Sequence, residues 1–454
     1  MRRGIAVLLG AMVLAAPATT RAQEGQDLRD RSDPAAFWRS LGDSTLQRLV
    51  GQALEANHDL RVVEARESEA RATRVEAALD VAPTLTLSAG YNRQRLSSSS
   101  FPGAVGSFPD QDVWDAGLHM SWELDVFGRL RGVLRGRNAL VTSSEEDVRD
   151  VRVSLSAEVA RTYFDLRGAH DRLEVAGRNA ENQQRTLELT RDRLELGRGN
   201  ALDVERAQAQ LSSTLAIIPA LEAEISALEH RLSVLTGQPP GSEGTLGRVD
   251  TRKLPLPPDL PVVDARAVVL ERPDVRSAER RLTAQGAFVS AAKADYMPRI
   301  SIEAVAGYTA NEFDALGNTG TPRYAIGPVV SWPFLDLGRV KSKVDAAEAI
   351  ESATRERYEQ TVLNALEELG SARTSYLGAR ERLVHLEEAA AASERATELA
   401  RLRFEEGATD FLEVLDTERR LLEAQDRLAA GHTEATNRLV AVYRALGGRW
   451  ETTN

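Results

Sequence analysis

The chain contains no cysteine. It can therefore hold no disulfide framework, no thiolate-ligated metal and no acyl group on an N-terminal cysteine. Its six histidines are scattered, which predicts neither a metal site nor a metal cofactor. Positive charge is short as well: 57 Lys and Arg stand against 68 Asp and Glu, for a formal net charge of -11 and a pI ≈ 5.3. Binding nucleic acid needs the opposite balance, because phosphates must be neutralised, so nucleic acid is excluded as a partner. Long apolar runs are missing too. Beyond the first residues no stretch approaches the roughly 20 apolar residues that a membrane helix requires, and any crossing of a bilayer is expected to be made by strands.

The exception lies at the start. Met1-Arg2-Arg3-Gly4, the apolar run Ile5 to Ala16 and the small residues up to Ala22 follow the order of a secretory signal peptide. Residues 1–22 are read as that leader, cleaved after Ala18 or Ala22, and the mature chain leaves the cytoplasm.

What is present is a duplication. Slid along itself at one constant offset, the chain lays Ser121-Trp122 on Ser331-Trp332, Gly128-Arg129 on Gly338-Arg339, Glu158 on Glu368, and Gly237 on Gly447. Arg191-Asp-Arg-Leu-Glu-Leu-Gly197 falls on Arg401-Leu-Arg-Phe-Glu-Glu-Gly407. Upstream a slightly longer offset pairs Asp59-Leu-Arg61 with Asp274-Val-Arg276 and Pro83 with Pro298, so the length difference falls where hairpin loops would lie. A fixed self-match of this kind signals repeated structural units. The first copy spans residues 23–237 with its N-terminal segment, the second 264–454, and residues 238–263, rich in proline, connect them.

Within each copy the order is a short helix, two strands and a very long helix pair. The strands are expected at about 83–95, 112–125, 298–310 and 322–335, and the helices at about 129–196, 200–236, 339–405 and 409–446. In the second copy Tyr358, Val362, Ala365, Leu369, Ala372, Tyr376, Ala379, Leu383, Leu386 and Ala390 recur in alternating steps of four and three. That is the repeat of about 3.5 residues that supercoils a helix on a neighbour. The first copy carries the ladder through Val148, Val151, Leu155, Val159, Thr162, Leu166, Ala169 and Leu173. Gly197 and Gly199, and again Gly407, turn the chain at the far end. Each outward helix, on the order of 60 residues, would reach about 90 Å at about 1.5 Å per residue. Heptads alone suit a soluble coiled-coil scaffold equally well.

The strands discriminate. Trp114, Ala116, Leu118, Met120, Trp122 and Leu124 alternate with Asp115, Gly117, His119, Ser121 and Glu123. Leu85, Leu87, Ala89 and Tyr91, then Ile300, Ile302, Ala304, Ala306 and Tyr308, then Tyr324, Ile326, Val330, Trp332 and Phe334 alternate in the same way. Apolar-out, polar-in strands with aromatics at their ends suit a transmembrane barrel, although a sheet with one wet face shows the same alternation. Four strands cannot close a barrel, and open edges are costly in lipid. Other subunits must complete it, and a ring of identical chains does so without new sequence. Trp114, Trp122, Trp332 and Phe334 are read as aromatics at the membrane interface, with lipid around them.

These residues resemble the TolC family of outer-membrane factors, most closely the branch serving resistance-nodulation-division pumps. The resemblance is carried by Phe37-Trp38, by Leu46 to Leu60, by Arg272-Pro-Asp-Val-Arg276, by Ser121-Trp-Glu-Leu-Asp-Val-Phe-Gly-Arg129, by Trp332-Pro-Phe-Leu-Asp-Leu-Gly-Arg339 and by Glu413-Val-Leu-Asp416. It covers nearly the whole mature chain. It implies a mainly α fold with a transmembrane β part: a homotrimer whose two β-hairpins per protomer build a twelve-stranded outer-membrane barrel, and whose coiled-coil helices form an α-helical barrel in the periplasm. The partners so implied are a periplasmic membrane-fusion adaptor and an inner-membrane transporter of the resistance-nodulation-division type. Many members of this branch are acylated on an N-terminal cysteine, which this chain lacks.

The resemblance also implies a gate. Glu413 and Asp416 match the two acidic gate positions of the TolC pattern, and three-residue spacing puts them on one helical face, where copies from each subunit would form rings favouring cations. Asp410 stands just before them. Asp203, at the equivalent place of the first copy, matches an acidic position that in the family pairs with a tyrosine and an arginine; Phe404 and Thr409 occupy those matching positions, so Arg419 and Arg420 are the candidate partners. No nucleophile–base arrangement and no glycine-rich phosphate loop is evident, so the chain reads as a non-enzyme without cofactors, a passive duct of a Gram-negative tripartite efflux system. A periplasmic coiled-coil scaffold or adaptor, and an outer-membrane duct for type I secretion, are the alternatives.

Overall fold

The computed structural model describes residues 37–38, 41–97, 108–241, 256, 260 and 264–449. The expected leader, 1–22, and most of the connection 238–263 lie outside the described residues. Two short helices, α1 (Ser44–Ala56) and α2 (His58–Leu79), lead into the hairpin β1 (Thr84–Gln94) and β2 (Gln111–Leu124). A helix of 67 residues, α3 (Arg129–Glu195), follows, and α4 (Ala201–Leu215) and α5 (Ile217–Leu235) return. The same order then recurs: α6 (Ala265–Leu270), α7 (Pro273–Ala294), β3 (Arg299–Ala310), β4 (Pro322–Ser331), the 69-residue α8 (Leu337–Glu405) and α9 (Phe411–Ala445). The outward helices, of 67 and 69 residues, reach roughly 100 Å.

The helices lie side by side in one layer. Toward the strands the order is α2, α3, α7, α8; toward the far tip it is α4 and α5, α3, α9, α8. Of the heptad ladder of α8, Ala365, Leu369, Tyr376, Leu383 and Ala390 are buried and the positions between them mostly exposed. Close approach is built in by small residues. On α3, Gly136 faces the Phe288 ring of α7, which leaves no space for a side chain there, and Gly132 lies against Ala291.

Three differences from the sequence expectation have physical causes. Strand β4 ends at Ser331, not near residue 335, because Pro333 has no amide hydrogen to continue the ladder. Trp332 and Phe334 therefore stand just beyond the strand. The first return helix is broken at Ala216, where Pro219 removes the bond to the Leu215 carbonyl; the equivalent residue of the second copy is Ala429, and α9 runs unbroken. Third, the stretch Ala201–Leu235 does reach the length and mean hydropathy of a membrane span, contrary to the expectation that no such stretch follows the leader. It is folded as α4 and α5 along α3, with Leu211, Leu221, Ile225 and Leu232 buried as a seam, while Leu202, Leu215, Ile217 and Val234 stay exposed.

The main core sits midway along the rods. Trp38 is fully buried there, Phe37 stacks on Tyr443 at 4.6 Å between ring centroids, and Leu256 and Leu260 of the connecting segment pack against the same cluster. Asp43, 3% exposed, accepts from the Leu46 amide at 3.0 Å to cap α1, and its other oxygen accepts from the Tyr163 hydroxyl at 2.9 Å and from Arg167 at 3.1 Å. Asn57 caps α2 and donates to the Leu235 carbonyl at 3.0 Å; its counterpart Arg272 donates to the Ala445 carbonyl at 3.1 Å. Each return helix is thus tied at its end to the start of a strand-bound helix.

Two predictions follow from this core. Asp43→Ala removes a helix cap and the buried counter-charge of Arg167, and should lower stability by about 3 kcal/mol, read as a fall in the thermal midpoint. Asp150 is pushed up to about 6 by burial, with Asp274 and Asp147 adding to the effect against Arg272 and Arg444. Between the ordinary aspartate value of 3.8 and about 6 the folded chain holds a proton that the unfolded chain has lost, so this group's contribution falls as pH rises through that window. Asp150→Asn should raise the thermal midpoint at pH 7.5 and leave it nearly unchanged at pH 4; an equal gain at both values would refute the assignment.

Candidate functional site

Two regions hold the candidate residues, the sheet at one end and the helical tip at the other. The sheet has the order β1-β2-β3-β4, antiparallel throughout. Its register brings every apolar position of the alternation onto one face: Leu87 opposes Leu118, Tyr91 opposes Trp114, Leu118 opposes Ala306, Trp122 opposes Ile302, and Ala304 opposes Ile326. Among the described residues no helix packs over this face. Leu87 is 76% exposed and Tyr324 85%. Trp114 sits at the loop end, 4.6 Å from the Tyr91 ring and 5.1 Å from that of Phe313. At the helix end Trp122 and Trp332 occupy equivalent places. Trp122 Nε1 donates to the Val81 carbonyl at 3.0 Å and Trp332 Nε1 to the Tyr296 carbonyl at 3.1 Å, and Phe334 lies 5.9 Å from the Trp332 ring.

The opposite face is polar and internally paired. Arg323 of β4 reaches over the bare Gly307 to make a bidentate contact with Asp115 of β2, at 2.6 and 2.7 Å. His119 Nε2 lies 3.1 Å from Glu303, which also accepts from Ser121 at 2.8 Å. His119 is thereby a partner of a carboxylate on the polar face. Both outer strands, β1 and β4, present a free edge.

At the tip, Gly197 and Gly407 adopt φ of 71° and 76°, the left-handed conformation that closes a helix C-terminus at little cost to glycine alone. The amides of Arg198 and Ala408 reach back to the Arg193 and Arg403 carbonyls at 2.8 and 2.7 Å. Gly199 is required for another reason, since a side chain there would strike the backbone at Leu194. Beneath the turns Leu187, Leu211, Phe404, Phe411 and Val414 form a small separate core.

The acidic candidates all stand on this tip. Glu413 and Asp416 lie on the first turns of α9, where negative charge suits the helix dipole. Asp410 is the N-cap residue, and its carbonyl accepts from the Glu413 amide at 3.1 Å. Arg419 and Arg420, the candidate partners of Asp203, instead each approach Asp416 to 2.9 Å. Glu413 accepts from the Thr409 hydroxyl and lies 3.6 Å from Arg403. Asp203 stands apart from them on α4 and faces Arg206 at 3.7 Å. Phe404 is buried against Phe411, where a hydrogen-bonding ring would have been needed for the family's lock.

Sequence reasoning missed two contributors. Arg193 lies over the Phe404 ring at 4.1 Å and donates to the Phe404 carbonyl at 3.0 Å, joining the two turns. Glu418, 2% exposed, accepts from Arg401 at 2.8 Å and from Thr186 at 2.9 Å, fixing α3, α8 and α9 together just behind the tip.

The family described as Outer membrane efflux protein matches residues 49–238 and 266–448. The solvent efflux pump outer membrane protein SrpC of Pseudomonas putida is 31% identical over 422 residues, 90% of this chain and 86% of that protein. The cation efflux system protein CusC of Escherichia coli is 28% identical over 424 residues, 92% and 89% of the two chains. Among solved structures, the outer-membrane channel OprN superposes with a TM-score of 0.86 at 39% identity, covering 93% of this chain and 94% of that one. The MtrE outer membrane channel of Neisseria gonorrhoeae superposes with a TM-score of 0.78 at 26% identity, covering 88% of each chain.

Proposed function

The chain belongs to the outer membrane efflux protein family, the TolC-like non-enzymatic transport proteins of the outer membrane, and from that premise we propose that it is the exit duct of a tripartite efflux system. Three copies would join their sheets into a twelve-stranded barrel and their helical layers into a tunnel that continues it through the periplasm. A membrane-fusion adaptor and an inner-membrane transporter of the resistance-nodulation-division type would load the tunnel, and that transporter supplies both energy and substrate choice.

One observation carries this reading: the sheet has a continuous uncovered apolar face and two free edges. In hydrocarbon each unpaired backbone group costs several kcal/mol, so the sheet is complete only when β1 of one copy pairs with β4 of the next. The helical layer has the same need, with α8 at one border and α2, α4 and α5 at the other. The polar face then lines the lumen, with its charges already neutralised in pairs such as Asp115 with Arg323.

The tip is the gate in this reading. Glu413 and Asp416 from each copy would ring the axis, flanked by Asp410 and Asp203, and would favour cations. Arg419 and Arg420 moderate the Asp416 ring. Fractionation and planar-bilayer recording test the duct. The expected result is an outer-membrane protein, extracted by detergent as a trimer, with a cation-preferring conductance; a soluble protein without conductance would return the scaffold reading. Glu413→Ala/Asp416→Ala should abolish the cation preference. Arg419→Ala/Arg420→Ala should strengthen it, and a conductance whose selectivity ignores both pairs of changes would remove the gate while leaving the duct.

A further inference from the structure

The two tip turns of a protomer are joined by one side chain. Arg193, near the end of α3, donates to the carbonyls of Phe404 at 3.0 Å and Glu405 at 3.2 Å. Those carbonyls belong to the last turn of α8, where intrahelical partners run out and the helix dipole leaves partial negative charge. A guanidinium answers both deficits with its forked donors.

The repeat generates a second place of the same kind. Arg193, Leu194 and Glu195 occupy the positions of Arg403, Phe404 and Glu405 in the second copy. Across the tip half of the layer the order is return helix α4 and α5, outward helix α3, return helix α9, outward helix α8. Inside the protomer, outward α3 meets return α9. Among the described residues, outward α8 has no return helix on its far side, and the return helix α4 has no outward helix on its own.

We propose that the far side of α8 receives α4 of a second copy of this chain, and that Arg403 there caps the partner's α3 at the carbonyls of Leu194 of the partner subunit and Glu195 of the partner subunit. This rests on the ring of identical subunits proposed above and assigns the contact that joins its tip. Two observations fit the empty joint. Arg403 is 56% exposed and reaches only as far as Glu413, at 3.6 Å, longer than the about 2.8 Å of a well-formed charged hydrogen bond. On α8, Leu363, Leu377 and Val384 repeat at heptad spacing outside the buried seam and are exposed, a second apolar line for a second neighbour.

The two kinds of joint are unequal. Arg193 rests on an aromatic ring, whereas a leucine stands at the corresponding place beneath Arg403. Glu413 draws on Arg403, whereas its counterpart Asp203 faces Arg206. The ring therefore alternates firm joints within subunits and looser ones between them, and it parts first at the three subunit boundaries.

The absence of native cysteine makes the test direct. In detergent-extracted full-length protein, Arg403→Cys/Glu195→Cys is treated with a short bis-maleimide, beside Arg193→Cys/Glu405→Cys as the within-chain standard and each single variant as a control. The standard should link within one chain and keep monomer mobility on a denaturing gel. The test pair should give covalent dimers and trimers, and the single variants neither. A test pair that stays monomeric in particles shown to be trimers by native mass, while the standard reacts, would overturn the joint and leave the duct. Absence of trimers in the unsubstituted protein would instead overturn the ring itself.

Discussion

A backbone amide or carbonyl has nowhere to go in hydrocarbon except to another backbone group, and the four-stranded sheet leaves two rows of them open. Everything else in the molecule is arranged around that incompleteness. The apolar side chains of β1 to β4 lie on one face, the polar ones on the other and paired among themselves, so the sheet is finished except at its borders. The helical layer repeats the condition in water, where the cost is an exposed apolar line on α8 instead of an open ladder. A chain whose two ends, one lipid-facing and one aqueous, are both unfinished in the same direction is shaped as a stave, and in the proposed ring its stability would belong to the ring more than to itself.

The duplication supplies the positions of the contacts and leaves their chemistry free to differ. Asn57 and Arg272 hold the ends of the two return helices at carbonyls of Leu235 and Ala445, one as a neutral amide and the other as a guanidinium bridged to Asp274 and Glu368 at 2.8 Å. Trp122 and Trp332 fix the base of each hairpin through the same indole bond to a backbone carbonyl. Because the geometry is inherited twice, a residue that changes between copies marks a place where the halves have separate tasks. Asp416 stands where the first copy has Arg206, and Phe404 where it has Leu194; both differences fall at the tip.

Heptad spacing and period-two alternation were enough to place the long helices and the strands, since both patterns report which side of an element meets apolar surroundings. The register of the sheet was also implicit, because a slip of one residue would have turned Leu118 and Ile302 to the polar face. What pattern could not convey was local and steric: that Pro333 ends β4 before Trp332 and Phe334, and that Pro219 breaks one return helix. The acidic residues of the tip were singled out from a resemblance, and Arg419 and Arg420, offered as partners of Asp203, lie on Asp416 instead. Arg193 went unnoticed because its partners are backbone carbonyls, which have no signature in a sequence, and Glu418 because a buried carboxylate on a charged helix looks like any solvated one until its neighbours are placed.

The break at Pro219 has a mechanical meaning. Helix α9 is an uninterrupted lever of 35 residues running from the carboxylates of the tip to Tyr443, which stacks on Phe37 in the main core. A sideways push on the second turn is carried along its length to that fulcrum. The same push on the first turn is absorbed at Ala216, nearly halfway back, where the helix is interrupted. Stiff and compliant members alternate around the proposed ring, so a torque applied at mid-height is delivered to the tip through every second hairpin.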